Sequence, residues 1–421
     1  MKEYKDYNNH CIQWMGNIPS HWKSLGLKRT INLINEKTTD ESLTYIGLEN
    51  IESFTGRLSN TKFVTADSTC NLFKIGDILF NKLRPYLTKS IIADFEGKCT
   101  TELLVLRGFK GDTKYLNYIL LSPEYIGYID SSTYGSKMPR ANWNFIGNVN
   151  IPFPPLSEQQ HIVSFLDEKT AKIDEYIDKK NKEIEALKEW KKALIAHVVT
   201  KGLNTNAKMK DSGVSWIGEI PEHWKVKRLG AAFVENRTIN SSLEITEAYK
   251  FNYGALIRKD EDVNPIEMMD TYCKYTCLNV NDIVINGLNL NYDFVSQRVA
   301  KAYAKGIITS AYLTLTPRDG INPNYYLYLL KSMDSMKLFH GMGTGIRLTL
   351  SYNEIKKQQI LFPPLVEQQE IVEYIDAATT KADKMIVELT NHVESMKEYK
   401  QRLIADVVTG KINVQPCNTC L

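Results

Sequence analysis

A chain that repeats its own landmarks in order must build two like halves. This one repeats three. Trp14-Met15-Gly16-Asn17-Ile18-Pro19-Ser20-His21-Trp22 returns as Trp216-Ile217-Gly218-Glu219-Ile220-Pro221-Glu222-His223-Trp224. Phe153-Pro154-Pro155-Leu156-Ser157-Glu158-Gln159-Gln160 returns as Phe362-Pro363-Pro364-Leu365-Val366-Glu367-Gln368-Gln369. Leu194-Ile195-Ala196-His197-Val198-Val199-Thr200 returns as Leu403-Ile404-Ala405-Asp406-Val407-Val408-Thr409. The last two pairs share an offset of 209 (363 − 154), and the first is offset by 202 (216 − 14), so the second copy holds about seven extra residues. A duplication of this kind implies internal pseudo-twofold symmetry.

Composition narrows the class. At 421 residues, more than one core is expected. An apolar fraction of 43% and a charged fraction of 24% suit a soluble globular protein. No apolar run approaches the ~18 residues of a membrane span, and Met1-Lys2-Glu3-Tyr4-Lys5-Asp6 is no signal peptide, so a cytoplasmic location without membrane contact is expected. The net charge of +3 confines any nucleic-acid binding to local basic patches. Seven scattered cysteines fit reduced thiols. Cys417 and Cys420 have CxxC spacing but no second pair, and Cys273 and Cys277 are no better, so no metal site is expected.

From Glu158 onward, apolar or small residues recur at alternating steps of four and three: Leu166, Thr170, Ile173, Ile177, Lys180, Ile184, Leu187, Lys191, Leu194 and Val198. The seam returns as Ile375, Thr379, Ala382, Ile386, Leu389, Val393, Met396, Lys400, Leu403 and Val407, with Lys400 repeating Lys191. This is a heptad pattern over two helices of about 40 residues, or roughly 60 Å each. Two matching seams in one chain predict intramolecular pairing as a coiled coil; the alternative is separate packing of each helix on a neighbouring domain. Ser157 and Gln160 predict a capping box at the first helix start, which Val366 removes from the second. Gly202 and Gly410 mark the ends.

The remaining segments read as α+β domains of about 150 residues with mixed or antiparallel sheets. Short β-type runs such as Thr44-Tyr45-Ile46-Gly47-Leu48 and Gly76-Asp77-Ile78-Leu79-Phe80 alternate with turn residues, and one helix is expected near 115–122 and one near 325–332. The organisation is thus 1–156 globular, 157–203 helix, 204–365 globular, 366–412 helix, and 413–421 polar tail. Gly76–Pro85 aligns with Asn281–Leu290 in apolar alternation, but Lys82 becomes Gly287 and Arg84 becomes Asn289. One scaffold with two different tips suits two readers of different targets.

Both WxGxIPxxW segments, both PPLxEQQ helix starts, Tyr45-Ile46-Gly47-Leu48-Glu49-Asn50-Ile51 and Gly76-Asp77-Ile78-Leu79-Phe80-Asn81-Lys82-Leu83-Arg84-Pro85 together resemble the specificity subunits of type I restriction–modification systems. The resemblance covers essentially the whole chain. It implies two target-recognition domains, each reading half of a bipartite site on double-stranded DNA, and two spacer helices that pair antiparallel and set the gap. It implies a subunit that is not itself an enzyme and binds no cofactor. Two modification subunits would methylate adenine from S-adenosylmethionine, and motor-nuclease restriction subunits using ATP and Mg would join for cleavage. The second domain departs from the Lys-Leu-Arg-Pro tip, so contacts cannot be carried across to it residue by residue.

Base readout requires Arg or Lys for guanine and Asn or Gln for adenine, with further cations and hydroxyls for phosphate. Asn81, Lys82, Arg84, Tyr86, Thr88 and Lys89 form the densest such cluster of the first domain. Ser136, Lys137 and Arg140 lie in a glycine-containing loop suited to phosphate, and Thr344, Arg347 and Thr349 repeat it. Asn252, Arg258, Lys259 and Arg298 complete the candidates of the second domain. The four tryptophans of the repeated motif read as core anchors, with His21 and His223 structural beside them. Trp190, His197, Tyr399 and Asp406 on the outer helix faces are candidates for docking partner proteins.

Enzyme readings lack their motifs. An adenine methyltransferase needs Asn/Asp-Pro-Pro-aromatic, whereas Leu156 and Leu365 follow these prolines. No GxxxxGK[ST] is present, and Gly341–Gly345 neither follows a strand nor opens a βαβ unit. A coiled-coil adaptor with two protein-binding heads and no DNA readout is the alternative function.

Overall fold

The computed structural model describes residues 3–59, 69–259, 265–343 and 348–415. The chain divides into two compact units, Met1–Lys182 with Leu389–Leu421, and Glu183–Glu388. Each contains one globular head and part of both long helices, Leu156–Lys201 and Leu365–Val408.

In the first unit, the central four-stranded sheet is antiparallel, in the order Asn32–Ile34, Leu103–Arg107, Ile78–Asn81, Ser90–Ile92. Ile78, Leu79 and Phe80 are all fully buried, because this strand is covered on both faces. A second four-stranded sheet joins Lys37–Thr38, Cys70–Phe73, Gly97–Cys99 and Tyr45–Ile46, the last parallel to its neighbour. The mixed α+β expectation therefore holds. The expected helix appears as Thr113–Leu120, capped by Asp112 on the Lys114 and Tyr115 amides. A second helix, Pro123–Asp130, follows it.

The second unit rebuilds the central sheet as Phe233–Glu235, Leu313–Pro317, Ile283–Ile285, Val299–Lys301, again antiparallel. It adds a hairpin, Tyr249–Asn252 with Ala255–Arg258, and replaces the two short helices by one, Pro323–Ser335. Sheet register locates the divergence. Ile78 pairs with Ile92 as Ile283 pairs with Lys301, an offset of 205 (283 − 78) before the intervening loop and 209 (301 − 92) after it. The loop of the second head is thus longer by four residues (209 − 205).

The predicted heptad positions are the inward stripe of both helices. Leu166, Thr170, Ile173, Ile177, Ile184 and Val198 are buried, as are Ile375, Ala382, Val393, Lys400, Leu403 and Val407. None of the other seam residues is more than partly exposed. Two of the seam lysines are paired across the helices. In the first unit Lys400 Nζ donates to Asp174 at 2.6 Å and 2.8 Å, and Arg57 joins the same carboxylate at 2.9 Å. In the second unit Lys191 pairs with Asp383. Offset by 209, these are the same ion pair with the two helices exchanged (Asp174 to Asp383, Lys191 to Lys400). In the first unit His161 also meets Gln415 at 3.0 Å, so the partner number falls as the first helix advances and the segments run antiparallel.

The predicted capping box is not formed. The helices begin at Leu156 and Leu365, immediately after Pro155 and Pro364, so Ser157 lies inside the first turn. Proline fixes the backbone before the serine can serve as a cap. The glutamine of each PPLxEQQ does the tethering instead. Gln159 Nε2 donates to Pro154 O and its Oε1 accepts from Asp112 N, both at 2.8 Å. Gln368 repeats both bonds, to Pro363 O and from Asn322 N, at 2.8 Å. The preceding glutamates join the two repeated motifs. Glu158 accepts from Tyr4 OH at 2.5 Å and meets His21 Nε2 at 2.9 Å. Glu367 meets His223 Nε2 at 2.6 Å and accepts from Trp224 Nε1 at 2.9 Å. Trp14, Trp22 and Trp224 are buried as anchors and Trp216 is partly so. Gly202 (φ +76°) and Gly410 (φ +75°) close the helices beside Trp224 and Trp22, where a Cβ would lie 3.1 Å from each indole ring.

Candidate nucleic-acid interface

In the first head, two candidate clusters separated by some fifty residues become one surface. Arg84 N donates to Pro139 O at 2.7 Å, and Ala141 N donates to Lys82 O at 2.9 Å, stitching the loop after Ile78–Asn81 to the 134–140 loop. The Arg84 guanidinium bonds Lys137 O at 3.2 Å and remains exposed. Arg84 (φ +51°) and Thr88 (φ +47°) hold left-handed backbone on either side of the short turn Pro85–Leu87. Such conformations cost a non-glycine residue on the order of 1–3 kcal/mol and mark places where function outweighs local ease. They turn Tyr86 outward, 48% exposed.

Several candidates take supporting positions. Asn81 is fully buried; its amide donates to Leu83 O at 2.9 Å and Arg84 O at 3.2 Å, and its Oδ1 accepts from Lys89 N at 3.0 Å. It shapes the loop and does not reach outward. Thr88 is buried. Lys89 Nζ donates to Leu48 O at 2.6 Å, and burial lowers its pKa. Arg140 is forked onto Glu102 at 2.9–3.1 Å, which raises its pKa by hydrogen bonding. Arg84, Tyr86, Ser136 and Lys137 are left exposed, with Lys82 half-buried beside them.

The second head differs more than its sequence suggests. Arg298 is 1% exposed. Its guanidinium donates to Asn286 O (3.1 Å), Leu288 O (2.8 Å), Asn289 O (3.4 Å) and Asp293 O (2.8 Å). An arginine that closes a loop from inside cannot meet a base, so this candidate is corrected to a structural clamp. Arg258 is paired with Glu247 at 2.6 Å. Lys259 is half-buried, donating to Tyr275 OH at 3.2 Å over the Tyr272 and Tyr275 rings. Asn252 and Thr349 are exposed. Thr344 and Arg347 lie outside the described residues, as do Cys417 and Cys420.

Sequence reasoning sought cations and so missed the outward side chains of this head. Tyr292 is 76% exposed, Val295 89% and Phe294 54%, all on the loop clamped by Arg298. The available signal was a run of apolar residues inside an asparagine-rich loop of the longer copy. Among the described residues no group of three or more His, Cys, Asp or Glu could hold a metal, and no helix is long and apolar enough to cross a membrane.

Comparison with known proteins follows the same duplicated plan. The family model described as type I restriction modification DNA specificity domain matches twice, over residues 19–186 and 221–395. The chain belongs to that family. Each match takes in one head and the first part of the helix after it, so the family unit is the repeat found in the sequence. The type I restriction enzyme MjaVIII specificity subunit of Methanocaldococcus jannaschii is 26% identical over 325 residues, 73% of this chain and 72% of that protein. The EcoKI specificity subunit of Escherichia coli K12 is 22% identical over 412 residues, 93% and 83% of the two chains. A chain solved in a study of complex assembly and conformational transition of the type I R-M system matches with a TM-score of 0.68 at 18% identity, covering 94% of this chain and 99% of that one. At that identity the likeness concerns the fold. It supports the alternation of heads and long helices, and family membership removes the adaptor reading from favour.

Proposed function

We propose that this specificity subunit reads a bipartite site on double-stranded DNA, one half-site per head, and that it recognises and does not catalyse. Two modification subunits dock on it and methylate adenine. Motor-nuclease restriction subunits join the same complex in the cytoplasm, and S-adenosylmethionine, Mg and ATP belong to those partners. The observation that carries the reading is one scaffold used twice with unlike outer loops: Lys82, Arg84, Tyr86 and Lys137 in the first head, and Tyr292, Phe294 and Val295 in the second. Shared scaffolds with divergent tips suit two independent sequence readings.

Domain exchange tests it. Replacing residues 1–156 by the equivalent domain of another family member, expressed with the modification subunit, should alter one half of the methylated site and leave the other. Simultaneous change of both halves, or no methylation change across the genome, would reject the reading.

A further inference from the structure

We infer that the second head reads its half-site through apolar contact with thymine methyl groups, made by Tyr292 and Val295 at the tip of the loop that Arg298 clamps. This rests on the DNA-reading function proposed above and assigns the chemistry of one half-site.

The argument starts from the backbone. The loop occupies the position of the first head's Lys82–Lys89 loop, between the same two central strands, and is four residues longer (209 − 205). Arg298 stands where the first head has Lys89, and Asn286 N bonds Arg298 O as Asn81 N bonds Lys89 O. Four carbonyls of the loop converge on one buried guanidinium. Asp293 closes the turn, its Oδ1 accepting from Val295 N and Ser296 N at 3.0 Å, and these bonds lower its pKa to about 2. Phe294 stacks on His340 with ring centroids 4.6 Å apart, and His340 Nε2 meets Asp293 O at 3.1 Å. The loop is therefore held from below, while Tyr292 and Val295 project above it.

A rigid loop that exposes a valine at 89% and a tyrosine at 76% gains free energy only when something apolar covers them. The hairpin beside it behaves alike. Tyr253 holds φ +42°, a left-handed conformation unusual for an aromatic residue, and is 74% exposed. Gly254 brings that turn against Gln297, leaving no room for a Cβ (2.6 Å). Asn252, an adenine-type donor and acceptor, precedes the turn. On the groove edges of a duplex the apolar group is the thymine C5 methyl, since base faces are covered by stacking. Of the described cationic candidates here, Arg298 is buried in its carbonyl clamp, Arg258 is exposed but paired with Glu247, and Lys259 is half-buried over two rings, whereas the first head leaves Arg84 and Lys137 outward.

A methyl-deletion cycle tests it. The full chain, assembled with its modification subunits, is bound to its selected duplex and to duplexes with each thymine replaced by deoxyuridine, which removes only the methyl. In the wild type, one or more substitutions in the second half-site should weaken binding on the order of fourfold per methyl. In the variant Tyr292→Ala/Val295→Ala, whose changes lie at exposed positions and spare folding, the same substitutions should have no further effect. Equal losses in wild type and variant, no loss at any thymine of the second half-site in the wild type, or a variant that impairs only subunit assembly would each overturn the inference while leaving the DNA-reading function intact. A wild-type complex that binds no duplex would overturn both.

Discussion

Gln159 and Gln368 show at the residue scale why PPLxEQQ is worth repeating. Each glutamine is almost fully buried (1% and 2% exposed) and satisfies a carbonyl before its helix and an amide of the head at once. Replacing either with alanine orphans both groups and should cost about 1–3 kcal/mol, read as a lowered urea midpoint. A loss below ~0.5 kcal/mol would show that water takes over both bonds. Buried acids give a second expectation. Desolvation raises the hydroxyls of Tyr115, Tyr125 and Tyr325, and burial pushes the Cys99 thiol up to about 12. Between about pH 9 and 12 the unfolded chain releases these protons and the folded chain keeps them. The folded state then binds more protons, so stability falls as pH rises. Alkaline titration followed by circular dichroism should show this loss, with Cys99 resisting alkylation at pH 8 until the chain unfolds. Undiminished stability at pH 11 would contradict the burial of these groups. At this scale the sequence showed which residues repeat, but not that Gln159 tethers while Ser157 leaves the cap unused.

The helical element carries one ion pair in two copies of unequal weight. Lys400 and Asp174 are 10% and 18% exposed at the side chain, whereas Lys191 and Asp383 are 22% and 59% exposed. Breaking a buried pair from one side costs about 3–5 kcal/mol, and an exposed pair contributes about 1 kcal/mol or less. Lys400→Asp should therefore destabilise several-fold more than Lys191→Asp in denaturant unfolding. Adding Asp174→Lys to the former, with Arg57→Ala in both to remove the second cation on that carboxylate, should recover most of the loss, because the exchanged pair restores the cross-helix match. Failure of that recovery would mean the pair does not set the alignment of the helices. The seam itself was legible because apolar period is a local property. That each lysine meets an aspartate of the other helix depends on alignment between segments 192 and 226 residues apart, which no local pattern encodes.

For the whole molecule, the proposed function makes the spacer helices the measure of the half-site gap. Inserting one heptad into each adds about 10 Å, near three base pairs of duplex rise. The methylated site should lengthen its unspecified gap by about that amount, mapped across the genome, while both half-sites stay the same. An unaltered gap would detach the helices from spacing. The first candidate surface was partly visible in advance: Lys82, Arg84, Tyr86, Ser136 and Lys137 were picked from chemistry, and folding gathered them. The second was not, since Arg298 looked like an outward cation and lies inside.

Sequence alone determined the repeat, the two heptad helices, the α+β heads and the family, because each is written in spacing or in motifs a few residues long. Tertiary structure decided which way the polar side chains face. An arginine on a loop is a DNA contact or a clamp according to whether carbonyls or water surround it. That environment is assembled by strand register and a four-residue difference in loop length, which residue types by themselves do not fix.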